Sequence, residues 1–345
     1  MEIVEKITNT DHEKVLFGRD SASGYRGIIA IHSTALGPAV GGTRFWNYAS
    51  DEEALTDALR LSRGMTYKTA VAGLPLGGGK AIIIGDNRKS NREAILRAHG
   101  RFVETLRGRY ITAEDVGTSP ADMEIVRLET RHVAGLLGLS GDPSPYTARG
   151  VFRAIQASAK YLWNTDDLSS VTVAVQGCGH VGYQLTKMLH AAGAKLIIAD
   201  VNANSVARVA NEFAVEVVQP NEIFSVAADI FAPCALGGVI NDRTIPELKV
   251  QIVAGAANNQ LLEERHGESL RERNILYAPD YVANVGGVFN GCIELLGWGS
   301  ARAAKKIDDI YDTILTIYER ARAEGITTSK AADQLAESRL RRGGA

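Results

Sequence analysis

The feature that most constrains the fold of this chain is a glycine-rich turn in its second half. Gly177, Gly179 and Gly182 fit the pattern G-x-G-x-x-G. The apolar stretch VTVAVQ comes directly before this turn, and a helical pattern over Gly179–Ala192 follows it. The next apolar stretch, KLIIAD, ends in Asp200. This succession of strand, glycine turn, helix and acid-terminated strand predicts a Rossmann domain that binds a dinucleotide.

Each position of the turn has a physical requirement. Gly177 allows the tight turn, Gly179 lets the backbone approach a pyrophosphate, and Gly182 lets the helix pack closely on the strand. Free amides at the helix N-terminus would hold the pyrophosphate. Asp200 would bind the adenosine ribose and repel a 2′-phosphate, and no arginine follows at 201–204. The predicted cofactor is therefore NAD rather than NADP; a structural glycine turn with a solvent-facing aspartate is the alternative.

Composition excludes several other classes of protein. The chain has 345 residues, a formal net charge of -2 and no basic or acidic block, so neither nucleic acid nor an anionic membrane surface is expected as a partner. No apolar run reaches the roughly 18 residues of a membrane span, and the N-terminus does not resemble a signal peptide. The three scattered cysteines suit a reducing compartment. We expect a cytoplasmic protein of two domains, either an enzyme or a binding protein.

Apolar periodicity divides the chain into a mixed first part and a regular second part. In the first part it predicts strands at Glu13–Gly18, Gly27–His32, Lys80–Ile84 and Tyr110–Ala113, and helices at Asp51–Tyr67 and Asn91–Leu106. Strands and helices alternate from Val171 to Ala254, which predicts a parallel sheet with crossover helices. The last stretch is predicted to be helical, at Val285–Leu296, Ala301–Glu324 and Thr328–Arg341. Periodicity leaves open which domain these helices pack on.

Two lysines and an aspartate are candidates for chemistry. Lys68 and Lys80 lie in an apolar, Gly- and Ala-rich segment with no other ionisable side chain between them. Burial and a second ammonium group nearby both lower the pKa of a lysine, which can then act as a general base. The run Gly77–Gly79 does not fit a P-loop, so we expect it to let the backbone approach a substrate. Asp115 follows a short strand and can face a cleft; a surface role for the lysines and a turn or capping role for Asp115 are the alternatives.

At these residues the sequence resembles the Glu/Leu/Phe/Val dehydrogenase superfamily, and within it the leucine, valine, phenylalanine and tryptophan dehydrogenase branch. The resemblance runs over nearly the whole chain, in the blocks IIAIHSTALGPAVGGTR, DALRLSRGMTYKTAVAGLPLGGGKAIIIGD, RYITAEDVGTS, GDPSPYTARGVF, VAVQGCGHVG, DIFAPCALGGVI, AGAANNQL and ILYAPDYVANVGG. It implies an α/β fold of two domains separated by a cleft. The first, at residues 1–145, is a substrate-binding and oligomerisation domain that a C-terminal helix at about 325–345 rejoins. The second, at 146–324, is the Rossmann NAD-binding domain.

The resemblance also implies residue roles. Lys80 would be the general base that activates water, Asp115 would assist proton transfer and hold the amino group, and Lys68 would bind the substrate carboxylate. Other implied substrate contacts are Gly41 and Gly42 beside the carboxylate, Asn259, and the side-chain pocket residues Val40, Met65, Ala113, Glu114, Val288 and Gly291. The implied cofactor contacts are Thr147, Gly177, Cys178, Gly179, His180, Val181, Gly182, Asp200, Val201, Cys234, Ala235, Ala256, Asn258 and Asn284.

The activity that the resemblance implies is the reversible, NAD-dependent oxidative deamination of an apolar L-amino acid to its 2-oxo acid and ammonia, by a homo-oligomer. The pocket offers no cation for a γ-carboxylate, which argues against glutamate. Leucine or another branched-chain amino acid is expected, although Gly291 departs from the bulkier residue usual there and would admit Phe or Trp. An aromatic amino-acid dehydrogenase is one alternative, and a catalytically silent NAD-binding sensor is another. No metal is predicted, because a lysine supplies the cation next to the reacting centre; consistently, none of the seven histidines has a zinc-like spacing.

Overall fold

The computed structural model describes residue 7 and residues 10–88, 91–139 and 141–343. It divides into two compact units. The first contains Met1–Gly141, Ile293–Gly297 and Ala336–Ala345, and the second contains Asp142–Cys292 and Trp298–Leu335. The sequence placed the division at 145 and the start of the rejoining segment at about residue 325. Both units are layered α/β structures, and each is described by itself.

The first unit is built on a mixed five-stranded sheet. Its strands are β1 (Lys14–Asp20), β2 (Tyr25–Ser33), β3 (Ala39–Trp46), β4 (Gly77–Ile84) and β5 (Tyr110–Glu114), and its helices are α1 (Asp51–Val71), α2 (Arg92–Glu104) and α3 (Pro120–Arg127). The strand order is β1-β2-β4-β3-β5, with β3 parallel to both of its neighbours. Apolar periodicity did not predict β3, because Gly41 and Gly42 interrupt its pattern.

Helix α1 packs on the sheet and carries Lys68 near its end. It begins after Ser50, whose side chain accepts a hydrogen bond from the Glu53 backbone amide, and three acidic residues occupy its first turn. Its apolar face packs on β2 and β4, with the residues Ala54, Leu55, Ala58 and Leu59 buried. The helix ends at Val71, so Lys68 lies in its last turn. In the same unit, Arg339 Nη1 donates to the carbonyl of Ala70 at 3.1 Å, which holds the end of the chain on the end of α1.

The glycine run before Lys80 packs closely against α1 and Tyr110 of the same unit. A Cβ atom on Gly78 would lie 2.0 Å from the backbone nitrogen of Thr66 in α1, and one on Gly79 would lie 2.7 Å from the ring of Tyr110. All three glycines of the run are buried. The expectation that the run leaves room for a substrate is therefore wrong: α1 and Tyr110 occupy the space that missing side chains leave.

The second unit contains a six-stranded parallel sheet. Its strands are β6 (Thr172–Gln176), β7 (Lys195–Ala199), β8 (Glu216–Val217), β9 (Ile230–Pro233), β10 (Ile252–Val253) and β11 (Leu276–Tyr277). The order β11-β10-β9-β6-β7-β8 is the 3-2-1-4-5-6 order of a Rossmann domain read from the opposite edge. Its helices are α4 (Ser144–Trp163), α5 (His180–Ala191), α6 (Ala203–Glu212), α7 (Arg265–Glu272) and α8 (Asp280–Ala283), with a 3₁₀ turn at Ile245–Glu247. The predicted α/β fold class with a Rossmann domain is confirmed.

Four further helices follow α8 in the described part of the chain. They are α9 (Gly286–Leu295), α10 (Ser300–Asp308), α11 (Ile310–Glu324) and α12 (Thr328–Gly343). The single helix predicted over Ala301–Glu324 is thus two helices that meet at Asp309. Periodicity could not reveal the break, because the buried residues keep helical spacing across it, at Ala303, Ile307, Ile310 and Ile314. Within the part of the chain that the structure describes, no helix is long and apolar enough to cross a membrane.

The close packing of α1 on β4 generates a test of stability. We expect Gly78→Ala to lower the free energy of unfolding by about 1–3 kcal/mol, because the added methyl group collides with the α1 backbone. Gly64→Ala is the matched control in α1, where a Cβ atom meets nothing within 4 Å. That variant should gain about 0.5–1 kcal/mol, as expected for glycine replaced in a helix interior. Urea unfolding measures both, and equal stabilities for the two variants would contradict the packing role of Gly78.

Candidate active site

Lys80 lies inside the sheet of the first unit. It belongs to β4, faces Ala30 of β2 in register and is only 3% exposed. Its Nζ donates a hydrogen bond to Oδ2 of Asp115. Burial lowers the pKa of Lys80 below its ordinary value, and Asp115 offsets only part of this effect. Arg44, a cation that the sequence did not single out, lowers this pKa further.

Asp115 stands on the turn that follows β5. Its backbone amide donates to Oγ1 of Thr118 at 2.9 Å, and its Oδ1 accepts the amide of Val116 at 2.6 Å. Burial alone would raise the pKa of Asp115, but the charges of Lys80 and Arg44 outweigh burial and lower it. Asp115 therefore has the turn role that the sequence analysis gave as an alternative, and it is also an ionised carboxylate in contact with Lys80.

Arg44 is the charged residue of this cluster that the sequence did not predict. Its Nε donates to Oδ1 of Asp115 at 3.1 Å, and its Nη1 donates to Oδ2 of Asp57 at 2.8 Å. The hydroxyl of Tyr48 donates to the same oxygen of Asp57 at 2.5 Å. The sequence could have indicated Arg44 through the alternation of side chains along a strand. Once β3 is recognised, this alternation places Arg44 on the same face as Gly42.

The glycine pair of β3 fits closely against this cluster. A Cβ atom on Gly42 would lie 2.7 Å from Cβ of Asp115, and one on Gly41 would lie 1.8 Å from the carbonyl oxygen of Gly79. Only glycine therefore leaves room for Asp115 beside β3. The first unit also brings Val40 beside β5 in register with Ile111, and Gly42 in register with Ala113. Four predicted residues lie on the neighbouring α1 and at the end of β5: Met65 and Lys68, and Ala113 and Glu114.

The fingerprint turn of the second unit has the expected form. Gly177 has a positive φ of 100°, and a Cβ atom on Gly182 would lie 1.9 Å from the carbonyl oxygen of Gly177. Gly179 is exposed, and a Cβ atom there would meet nothing within 4 Å. Helix α5 begins at His180 without a side-chain cap, so its first amides are available for an anion.

Asp200 is held on this turn rather than turned to solvent. Its Oδ2 accepts the backbone amide of Cys178 at 2.6 Å, and its Oδ1 accepts the amide of Asn202 at 2.8 Å. From the other side, Nη2 of Arg208 in α6 donates to the carbonyl of Cys178 at 3.0 Å. Arg208 lies beyond residues 201–204, where the sequence shows no arginine. After Arg44, it is the second site residue that the sequence did not predict.

Loops at the carboxyl ends of β9 and β10 complete the set in the second unit. A Cβ atom on Gly177 would lie 2.9 Å from the backbone nitrogen of Ala235, and one on Gly182 would lie 3.5 Å from Cβ of Cys234. Asn259 has a positive φ of 52°, and its carbonyl accepts the amide of Gly238 at 2.7 Å. These loops therefore pack directly on the fingerprint turn and on each other.

Asn284 shows a free hydrogen-bonding position in this region. Its Nδ2 donates to the carbonyl of Ala256 at 3.0 Å and to Oδ1 of Asn258 at 2.8 Å. Its own Oδ1 is buried without a partner among the described residues. An unpartnered buried acceptor is costly unless a ligand donor reaches it. The open turn at Gly179, the uncapped α5 and this acceptor fit a dinucleotide at the carboxyl ends of a parallel sheet.

The remaining predicted residues have less distinctive surroundings. Thr147 lies in the first turn of α4, where a Cβ atom on Gly287 would be 2.7 Å from its Oγ1. Val288 and Gly291 lie on α9. Val201 is 89% exposed, His180 is exposed and Val181 is half-buried. No contact of these last three supports a role, so their part in cofactor binding stays a prediction.

Two models of one protein family match the chain. The family model of the Glu/Leu/Phe/Val dehydrogenase dimerisation domain matches residues 12–132. The model of the glutamate/leucine/phenylalanine/valine dehydrogenases matches residues 198–342. The chain belongs to the Glu/Leu/Phe/Val dehydrogenase family. Lys80 and Asp115 lie in the region of the first model, and Asp200 and Asn284 lie in that of the second.

Relatives within the family resemble the chain over almost its full length. The chain is 55% identical to the leucine dehydrogenase of Geobacillus stearothermophilus, over 99% of this chain and 94% of that protein. It is 47% identical to the L-tryptophan dehydrogenase of Nostoc punctiforme, over 99% of this chain and 96% of that protein. The crystal structure of the Nostoc punctiforme enzyme superimposes with a TM-score of 0.87 and 46% identity, covering 99% of each chain. The predicted family is confirmed.

The position of Asp200 generates a test of cofactor choice. We expect Asp200→Asn to weaken NAD binding and to reduce the preference for NAD over NADP, because the variant loses the charge that repels a 2′-phosphate. Asp229→Asn is the matched control: Oδ2 of Asp229 accepts the amide of Thr172 at 2.8 Å at the start of β6. Fluorescence titration with both cofactors measures the dissociation constants. Unchanged NAD and NADP affinities in the Asp200 variant would contradict the assigned role.

Proposed function

We propose that this protein catalyses the reversible NAD-dependent oxidative deamination of L-leucine and related branched-chain amino acids. The observation that carries the proposal is the buried Lys80, whose ammonium group contacts the Asp115 carboxylate inside the first sheet. A buried lysine with a lowered pKa suits proton transfer, and it is costly to keep for structure alone. The cofactor is NAD, which binds to the second unit.

Residues of the first unit supply the acid–base chemistry. NAD⁺, when bound, supplies the acceptor for the hydride that leaves Cα of the amino acid. Lys68 binds the substrate carboxylate, and Asp115, an ionised carboxylate, holds the amino group. Lys80 then takes a proton from water as the water oxygen bonds to the imine carbon. The Lys80 ammonium then returns this proton to the nitrogen. As the C–N bond breaks, the neutral Lys80 takes the proton of the carbinol hydroxyl, which leaves the 2-oxo acid and ammonia.

The choice of leucine rests on the relatives. Leucine dehydrogenases of Geobacillus stearothermophilus and Bacillus subtilis are 55% and 52% identical to the chain. The tryptophan dehydrogenase of Nostoc punctiforme and the phenylalanine dehydrogenase of Caldalkalibacillus thermarum are 47% and 46% identical. An aromatic substrate is therefore the less supported alternative. It is favoured only by Gly291, whose missing side chain would admit Phe or Trp. A silent sensor is disfavoured because such a protein has no use for the contact of Lys80 with Asp115.

Assembly and location are further parts of the proposal. We infer a homo-oligomer that forms through the first unit, because the family model over residues 12–132 is described as a dimerisation domain. A cytoplasmic location is supported by Cys178, Cys234 and Cys292, all of which are free thiols. The partners of the protein are otherwise small molecules: the amino acid, the 2-oxo acid, ammonia and the cofactor.

The substrate proposal is tested by initial rates of NADH formation with Leu, Val, Ile, Phe, Trp and Glu. We expect kcat/KM to be highest for leucine or another branched-chain amino acid. A highest value for Phe or Trp would replace the proposal with the aromatic alternative. Absence of turnover on the whole panel, with NAD binding intact, would favour the sensor.

The role of Lys80 is tested by Lys80→Ala. We expect kcat to fall by about 10²–10⁴-fold, because the general base is lost, while the affinity for NAD stays unchanged. Lys14→Ala is the control, since Lys14 is an exposed lysine of the same unit. Stopped-flow NADH formation gives kcat, and fluorescence titration gives the NAD affinity. Turnover equal to that of the control would remove Lys80 from the mechanism.

A further inference from the structure

The Asp115 carboxylate is held from two sides by two different cations. Its Oδ2 contacts Nζ of Lys80, and its Oδ1 accepts Nε of Arg44 at 3.1 Å. The side chains of Arg44 and Asp115 are 24% and 21% exposed, so water screens this pair less than it screens a surface pair. A carboxylate between two cations cannot rotate without losing one of its contacts.

Arg44 is itself fixed at its far end. Its Nη1 donates to Oδ2 of Asp57 in α1 at 2.8 Å, and the hydroxyl of Tyr48 donates to the same oxygen at 2.5 Å. The planar guanidinium therefore connects β3 to the turn after β5 and to α1 at once. A lysine would carry the same charge but could not make both contacts in this fixed geometry.

We propose that Arg44 is a positioning residue of the reaction, which holds the Asp115 carboxylate in place for its contact with Lys80. The inference rests on the proposed function, because it assigns Arg44 to the proton transfers of that reaction. Arg44 acts through Asp115.

The charge of Arg44 also acts on Lys80. Arg44 lowers the pKa of Lys80, because a neighbouring positive charge disfavours the ammonium form, whereas Asp115 and Asp57 act in the opposite direction. Tyr48 lies in the loop between β3 and α1. The other titratable or charged groups on the elements around Lys80 are Tyr25, Arg26 and His32 on β2, Asp51, Glu52, Glu53, Arg60, Arg63, Tyr67 and Lys68 on α1, and Tyr110 and Glu114 on β5. Burial raises the pKa of Tyr48 and of Tyr110, so both hydroxyls remain neutral in the range of the reaction.

The direction of the pH effect follows from this arrangement. Lys80 must be neutral to take a proton from water, so kcat/KM rises with pH through the pKa of Lys80. Removing the charge of Arg44 raises that pKa, and the rising limb of the profile moves to higher pH. A lysine at position 44 keeps the positive charge but lacks the planar guanidinium. It therefore leaves the limb in place and disturbs only the orientation of Asp115.

The experiment compares pH profiles of kcat and kcat/KM for Arg44→Gln, Arg44→Lys and the wild-type enzyme. We expect Arg44→Gln to lower kcat by about 10²-fold, as misplaced catalytic groups do, and to move the limb to higher pH. Arg44→Lys should lose less activity and keep the limb of the wild type. The KM for the amino acid should change less than kcat, because Lys68 binds the carboxylate.

Arg265→Gln is the matched control. Arg265 also bridges two carboxylates, those of Asp242 and Glu263, but it lies on the surface of the second unit. That variant should keep both the limb and kcat. Thermal unfolding of all variants separates a loss of fold from a loss of positioning. If Arg44→Gln does not fold, a reduced kcat of Arg44→Lys at an unchanged melting temperature supports the inference, and a wild-type kcat overturns it.

The outcomes separate this inference from the proposed function. A wild-type enzyme without activity on any amino acid overturns the proposed function itself. An active wild type with an unmoved limb and a wild-type kcat in Arg44→Gln overturns the role of Arg44 alone. A lower melting temperature with reduced kcat but an unmoved limb assigns Arg44 a merely structural role and also overturns the inference.

Discussion

The first unit depends on the burial of one ammonium group in the middle of a β-sheet. Taking Lys80 out of water is unfavourable by several kcal/mol unless a partner compensates its charge. Asp115 provides that partner from the turn after β5, and Arg44 and Asp57 continue an alternating chain of charges toward α1. Much of the local structure serves to keep this chain in place: the absent side chain at Gly42, the turn fixed by Thr118, and α1 packed on β4.

The alternating charges also allow the cluster to be ordered and reactive at once, whereas in a single ion pair a more rigid contact would also make the lysine less reactive. With Asp115 as its one partner, Lys80 would stay in its charged ammonium form. Burial without such a second contact would keep proton donors away from the pair. A second cation on the far oxygen of Asp115 reduces the hold of this carboxylate on the Lys80 proton while fixing its orientation. Order and reactivity can therefore coexist in the same buried cluster.

How much the sequence could predict depended on how local each signal was. The Rossmann domain and its fingerprint at Gly177 were predicted from contiguous motifs, and Lys80 and Asp115 were singled out from local composition and family resemblance. The strand β3 did not, because paired glycines remove the apolar alternation by which strands are recognised. Arg44 and Arg208 were missed for a related reason: each acts on a backbone or carboxylate group distant in sequence, and only the fold brings them together. The glycine run at 77–79 was misread because sequence shows that side chains are absent, but not what fills their place.

Asp200 has a consequence for the evolution of cofactor use. Its carboxylate would contact the ribose, yet one of its oxygens already accepts the amide of Cys178 inside the fingerprint turn. A single mutation that removed the charge and the acceptor together would change cofactor preference and loosen the loop in the same step. Descendants can therefore adopt a phosphorylated dinucleotide without loosening the turn only through a residue that keeps an uncharged acceptor at position 200, such as asparagine, or through a compensating change elsewhere.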